Sequence, residues 1–231
     1  LYSNAVLSSV EKSSETTCKA GDGEIDNCVK GCKYENSNDK CTQCSIGRYN
    51  DVYATTNCKV CEKGTYSDEK GLKICKGCLR GYFCPGQVLN KQPCPRGRYG
   101  DIPNAPNKEE GCPKFCPAGR YGISSGNATI EAACSLPNSC EEGCFCPKGS
   151  DKPCPHECPA GRYSDESGMI NEKDGCKDCN PGKYCPGKNK VTLCTAGRFG
   201  YVYNETKIGA ACPGLCPIGK YGIGPGHQFE Y

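Results

Sequence analysis

The chain has 231 residues, with 25 Cys, 30 Gly, 17 Pro and a formal net charge of +3. Leu, Ile, Val and Phe together supply 31 of the 231 residues, below the roughly one-fifth needed for an ordinary apolar core. A balanced charge gives no reason to expect nucleic acid, no run of about 18 apolar residues exists to cross a membrane, and Cys at this density belongs to secreted disulfide scaffolds, not cytosolic enzymes.

Order must then come from cross-links, and the Gly and Pro density excludes long helices. Residues 1–17 carry no Cys, and 7 of the 17 are Ser or Thr; they read as a linker or tail. Ala5, Val6, Leu7 and Val10 leave open a short strand against a neighbouring subunit. The chain starts at Leu1 without a signal peptide, so it reads as a piece of a longer secreted protein. Residues 18–43, with Cys18, Cys28, Cys32 and Cys41, read as an irregular first module of open connectivity.

From residue 44 one phrase recurs: Cys, two residues, Gly, a residue that is usually basic, then an aromatic. It reads Cys44-Ser-Ile-Gly47-Arg48-Tyr49 and Cys61-Glu-Lys-Gly64-Thr65-Tyr66 in residues 44–77. It returns at Cys94, Cys116, Cys158, Cys194 and Cys216. The next Cys follows 14 positions on in the first two copies and 18 on in four others. A shorter module, Cys78-Leu-Arg-Gly81-Tyr82-Phe83-Cys84, reappears from Cys179 to Cys185 and, decorated, from Cys140 through Cys144 and Cys146 to Cys154. Residues 78–139 thus hold a short module and two long repeats, 140–178 a short module and one long repeat, and 179–231 a short module and two long repeats, the last truncated. One long copy is missing near Cys154 and Cys158.

The Gly marks a turn with positive φ, and the aromatic begins a short strand. The fold expected is small, disulfide-rich and mostly irregular with short β-hairpins, arranged as an elongated tandem-repeat rod in which each module touches only its neighbours. Equivalent Cys should pair equivalently. Closed loops give Cys44–Cys58, Cys61–Cys75, Cys94–Cys112, Cys116–Cys134, Cys158–Cys176 and Cys194–Cys212, with Cys78–Cys84 and Cys179–Cys185 in the short modules. Alternate-Cys pairing, such as Cys84–Cys94, stands as the competing scheme, above all for the short modules. Cys216 is left over, because its closing Cys would fall 18 positions on, past the last residue.

The phrases CPAGRYG, CPAGRYS and GYFCPG…CPRGRYG resemble the ephrin-receptor-like (GCC2/GCC3) Cys-rich repeats, and AACPGLCPIGKYG is similar to tandem copies in large surface and secreted proteins of protists. The resemblance spans about 41–221. It implies extracellular, disulfide-bonded, non-enzymatic modules of adhesion proteins, receptors, coats and fibres, and carries over no ligand-binding residue.

The remaining constellations read as structural. Cys41/Cys44, Cys58/Cys61, Cys75/Cys78 and Cys176/Cys179 have zinc-like Cys-x-x-Cys spacing, but each lies where one repeat closes and the next opens. His156 and His227 sit in Pro/Gly-rich loops. The motif from Gly222 to Gly226 lacks the helix of a phosphate loop, and Asp22, Glu24 and Asp26 lack the full calcium pattern. No cofactor and no metal are expected. Two sequons, Asn127-Ala-Thr129 and Asn204-Glu-Thr206, fall at nearly the same place in two long repeats and are candidate glycosylation sites; Asn138-Ser-Cys140 is weak. The expected role is a non-enzymatic extracellular structural protein, part of a surface coat, wall or mastigoneme-like fibre, and the alternative is a ligand-binding ectodomain of a receptor or adhesin. Its expected partners are copies of itself, neighbouring repeats of a longer chain, and glycans.

Overall fold

The computed structural model describes residues 18, 28–36, 40–86, 90–134, 139–218 and 226. Residues 1–17, the Asp22 to Asp26 stretch, Asn138, His227 and all but the last Gly of the 222–226 motif lie outside them. The chain divides into two compact units, one formed by residues 1–78, 84–91 and 104–107, the other by 79–83, 92–103 and 108–231.

Among the described residues the fold is small and disulfide-rich, built from nine two-stranded antiparallel sheets. In the first unit β1 (Cys32–Glu35) pairs with β2 (Lys40–Gln43), β3 (Arg48–Tyr49) with β4 (Lys59–Val60), and β5 (Thr65–Tyr66) with β6 (Lys76–Gly77). In the second, β7 (Tyr82–Phe83) pairs with β8 (Gln92–Pro93), β9 (Arg98–Tyr99) with β10 (Lys114–Phe115), and β11 (Cys144–Phe145) with β12 (His156–Glu157). There too β13 (Arg162–Tyr163) pairs with β14 (Lys177–Asp178), β15 (Lys183–Gly187) with β16 (Lys190–Leu193), and β17 (Arg198–Phe199) with β18 (Gly214–Leu215). In the long repeats the first strand is the pair that follows the turn Gly and the second the stretch between a closing Cys and the next opening Cys, except after Cys116, where a single bridge joins Arg120 and Ser139. Cys58-Lys-Val-Cys61 is thus a strand held at both ends by sulfur.

Twelve disulfides use every Cys except Cys216. The long loops close on themselves: 44–58, 61–75, 94–112, 116–134, 158–176 and 194–212. Cys78–Cys84 and Cys179–Cys185 are bonded within their short modules, and the middle one holds Cys140–Cys146 and Cys144–Cys154. In the first module Cys18–Cys32 and Cys28–Cys41 interlock.

The difference between 14 and 18 positions is one helical turn. Both loops closed over 14 lack helix, whereas each closed over 18 ends in a four-residue helix: α1 (Lys108–Gly111), α2 (Ile130–Ala133), α3 (Glu172–Gly175) and α4 (Ile208–Ala211). The closing Cys completes the turn, with Cys112, Cys134, Cys176 and Cys212 donating their N–H to Lys108, Ile130, Glu172 and Ile208 at 2.7–2.9 Å. Thr129 and Asn171 cap α2 and α3 by accepting from Ala132 and Asp174, as short polar side chains do at N-caps. The residue before the closing Cys is small and buried: Gly111, Ala133, Gly175 or Ala211.

Sulfur is the core. Apart from Cys, the buried apolar residues among those described are Tyr66, Ala105, Ala133 and Ala211. The shortage of large aliphatics is thereby resolved, since half-cystines pack as compact apolar groups and their covalent bonds restrict the unfolded chain.

Successive repeats are joined by backbone groups at fixed offsets. The N–H of the opening Cys donates to the carbonyl of the preceding repeat's turn Gly, as in Cys44 to Gly31, Cys61 to Gly47 and Cys78 to Gly64 of the first unit, and Cys94 to Gly81, Cys116 to Gly97, Cys140 to Gly119 and Cys194 to Gly182 of the second, at 2.8–3.1 Å. The opening Cys carbonyl in turn accepts from a residue of the next repeat that stands nine or ten positions after that repeat's own opening Cys. Ala54 donates to Cys28, Gly71 to Cys44 and Asn104 to Cys78 in the first unit. Gly126 donates to Cys94, Gly149 to Cys116, Gly168 to Cys140, Lys188 to Cys158 and Asn204 to Cys179 in the second. Every one of these donors has positive φ, from 52° at Ala54 to 83° at Gly149.

A third bond links the turn Gly N–H to the residue six positions into the next repeat. Gly31 donates to Asn50, Gly47 to Ser67, Gly64 to Cys84, Gly81 to Gly100, Gly119 to Cys146 and Gly161 to Cys185. Cys84, Cys146 and Cys185 thus hold the place that Gly, Ser or Asn holds in the long repeats. The short modules follow the same frame with a different staple. Cys28 holds the place of an opening Cys as well, through Gly31, so residues 28–41 share the frame of the repeats after them.

Contacts reach beyond the nearest neighbour, unlike the expected neighbour-only stacking. The turn Gly of one repeat abuts the positive-φ residue two repeats on. A Cβ on Gly64 would lie 2.4 Å from the Asn104 carbonyl oxygen, on Gly97 2.3 Å from that of Gly149, and on Gly161 2.6 Å from that of Asn204. No side chain fits there, and the positive φ independently excludes one.

Two predictions follow from cross-linking and close approach. Loops of this size each contribute roughly 3 kcal/mol by restricting the unfolded chain, so reductant abolishes protease resistance at physiological temperature while a chelator alone leaves it intact; a reduced chain that stayed resistant would contradict this. Gly97→Ala lowers stability by at least about 1–2 kcal/mol, the left-handed cost alone, whereas Ala54→Gly, at φ 52°, raises it by a few tenths to about 1 kcal/mol after the entropic cost of Gly. Chemical denaturation of the oxidised proteins measures both.

Candidate functional site

With the junctions made by backbone, the side chains left to differ are those of the loop edges. In three long repeats the Arg after the turn Gly bonds the closing Cys. Arg48 Nη1 donates to the Cys58 carbonyl at 3.0 Å, Arg98 Nε to that of Cys112 at 2.9 Å and Arg198 Nη1 to that of Cys212 at 3.1 Å. Arg162 instead pairs with Asp178 at 3.1 Å and Glu172 at 3.4 Å. The guanidinium of Arg98 also lies over the Phe115 ring, 4.5 Å from its centroid.

Seven positions after the opening Cys the long repeats split into two kinds. Those opened by Cys44, Cys61, Cys94 and Cys158 carry Asp there, and each Asp pairs with a Lys on the strand after the closing Cys. The pairs are Asp51–Lys59 at 2.7 Å, Asp68–Lys76 at 2.7 Å, Asp101–Lys114 at 2.8 Å and Asp165–Lys177 at 2.5 Å. Lys76 also meets Glu69, and Lys177 meets Glu166 at 2.8 Å. Hydrogen bonds from Lys59, Lys114 and Lys177 hold the carboxyls of Asp51, Asp101 and Asp165 below the ordinary Asp range. Bonds to Asp68 and then Glu69 hold the Lys76 ammonium above the ordinary Lys value.

The repeats opened by Cys116 and Cys194 carry Ile123 and Tyr201 at this position, and no Lys stands between their closing Cys and the next opening Cys. Ile123 is 51% exposed, Tyr201 60% and nearby Tyr203 63%. These two repeats also hold the sequons.

The two sequon asparagines are placed differently. Asn127 turns its side chain back on its own loop, Nδ2 donating to the Ser124 carbonyl at 2.9 Å and to Ser124 Oγ at 3.0 Å, while its carbonyl accepts from Gly100 at 3.2 Å. Its Thr129 hydroxyl caps α2. Asn204 is exposed with φ 59°, a conformation Asn tolerates better than most residues. Its N–H donates to the Cys179 carbonyl at 2.8 Å and its Oδ1 accepts from the Cys179 N–H at 3.1 Å. Nδ2 has no hydrogen-bond partner among the described residues. The one-residue difference in spacing matters: Asn204 stands ten positions after Cys194, at the junction donor, whereas Asn127 stands eleven after Cys116, one past the donor Gly126.

His156 lies in β12, not in a loop, because its strand faces β11 and its ring stacks on Phe145 with centroids 5.2 Å apart. Glu141, Cys144 and Cys154 come close enough to suggest a metal centre, but Cys144 and Cys154 are bonded to each other and offer no thiolate. A groove of about 370 Å³ in the first unit is lined by Lys33, Glu35, Thr42, Gln43 and Arg48 among others. Its charges are engaged within the chain, Lys33 with Glu35 at 3.0 Å and Arg48 with Cys58.

The ion pairs have a defined pH signature. An Asp whose folded pKa is depressed contributes fully above its unfolded value near 3.9 and loses that contribution as pH falls through the lower folded value. Loops 44–58, 94–112 and 158–176 therefore gain hydrogen-exchange rate, relative to the intrinsic rate, as pH falls below about 4, and loop 194–212 does not. Equal acid sensitivity in all four loops would contradict the assignment.

Compared with protein-family models and with curated proteins, the chain matches none.

Proposed function

We propose that the chain is a non-enzymatic extracellular structural protein of the ephrin-receptor-like repeat type, a disulfide-stapled rod within a surface coat, wall or mastigoneme-like fibre, glycosylated at Asn127 and Asn204. Twelve disulfides fit a protein matured in an oxidising, extracellular setting, and no helix among the described residues is long and apolar enough to cross a membrane. The observation that carries the structural role is the junction itself. The same backbone bonds recur from repeat to repeat in each unit, so repeats can be added without a new side-chain interface, as in solenoids.

Secretion from a eukaryotic host followed by small-angle scattering and electron microscopy tests this reading. Extended particles that associate into fibres are expected; isolated compact monomers would favour a ligand-binding ectodomain instead. Intact-mass measurement on the same material shows saccharide on Asn127 and Asn204, and two bare asparagines would overturn that part.

A further inference from the structure

The exposed apolar edge of loop 194–212 stands beside a modifiable amide. Phe199 packs against Gly214, where a Cβ would lie 2.5 Å from the ring. Tyr201 leans on Phe199 with ring centroids 6.5 Å apart, so Phe199 props a Tyr whose surface is otherwise largely open. Tyr203 directly precedes Asn204 and is open as well. Asn204 is pinned at the junction through its N–H and Oδ1, while Nδ2 is unengaged. An N-linked sugar is attached through Nδ2 and leaves Oδ1 intact as an acceptor, so both bonds to Cys179 survive modification. At Asn127 only one N–H would remain, and one of its two bonds to Ser124 would be lost.

The repeats exclude one arrangement where they hold the other. The four with an Asp–Lys pair across the loop edge have no sequon, and the two described repeats with a sequon have Ile123 or Tyr201 in place of that Asp. Resting on the glycosylation proposed above, we infer that the saccharide on Asn204 lies against Tyr201 and Tyr203 and covers the edge that an ion pair spans in the other repeats. Tyr presents an amphipathic ring, with an apolar face for the C–H faces of a pyranose and a hydroxyl for its polar rim. The occupant is the chain's own N-linked sugar, since its attachment residue directly follows Tyr203, lies three residues from Tyr201 and is held in place by Cys179.

The test compares the secreted glycoprotein with Thr206→Ala, which removes the sequon and keeps Asn204. Both are nitrated with tetranitromethane and the tyrosines followed by peptide mass spectrometry. Tyr53, 64% exposed in a repeat without a sequon, is the internal control. Tyr201 and Tyr203 should react at least about threefold more slowly in the glycoprotein, with Tyr53 unchanged. Occupied Asn204 with equal rates at all three tyrosines would overturn the inference and leave glycosylation standing. A bare Asn204 in the intact mass would overturn the glycosylation reading first and this inference with it. If Thr206→Ala does not fold, amidase release of the saccharide from the folded glycoprotein supplies the same comparison.

Discussion

A Gly three residues after each opening Cys sets the conditions for everything else in this protein. It has positive φ to reverse the chain, and at Gly31, Gly64, Gly81, Gly97, Gly119 and Gly161 a carbonyl two repeats on lies where a β-carbon would be. From that one residue, the N–H donates to the next repeat's sixth position and the carbonyl accepts from the next opening Cys. The opening Cys is therefore fixed at both backbone groups, and its sulfur bonds within its own loop, six positions on in the short modules and 14 or 18 on in the long repeats.

Sulfur then does the work of a core. A chain with so few large aliphatics would ordinarily be disordered, yet nearly every buried apolar side chain here is a half-cystine. The residues beside the sulfurs must be small. Gly100 and Gly200 would place a Cβ 1.8 and 1.7 Å from the Gly111 and Ala211 carbonyls, and Gly111, Ala133, Gly175 and Ala211 end their helical turns tightly against the closing Cys. Gly is abundant for a packing reason as well as a turn reason.

Because backbone groups make the junctions, the loop edges are free to carry different chemistry. Some hold Asp and Lys, others an apolar residue with a sequon. The guanidinium that reads as a free surface charge in sequence donates at Arg48, Arg98 and Arg198 to the carbonyl of the closing Cys. A repeat protein built this way varies its surface without disturbing its joints.

Spacing alone determined much of this among the described residues: the repeat, the turn Gly, the short strand at the aromatic in every described repeat but the one opened by Cys116, and the absence of long helices, all of which depend on neighbours within a few residues. Tertiary structure decided the rest. The single helical turn in each 18-position loop is too short to leave a periodic signal, and only the closing Cys completes it. The equivalence of Cys84, Cys146 and Cys185 to Gly, Ser and Asn is invisible in residue type, since it lies in a backbone bond from another repeat. Cys28 was hidden as an opening Cys by the extra Cys32 beside it, until the bonds of Gly31 revealed the frame. Asn127 and Asn204 share a motif, yet one spends its amide nitrogen on Ser124 and the other bonds Cys179 through its N–H and Oδ1. Both loops meet the carbonyl of the preceding opening Cys, through Gly126 in one and Asn204 in the other, so a one-residue offset decides which asparagine is held at the junction, and only the backbone bond to a residue dozens of positions away gives that offset its meaning.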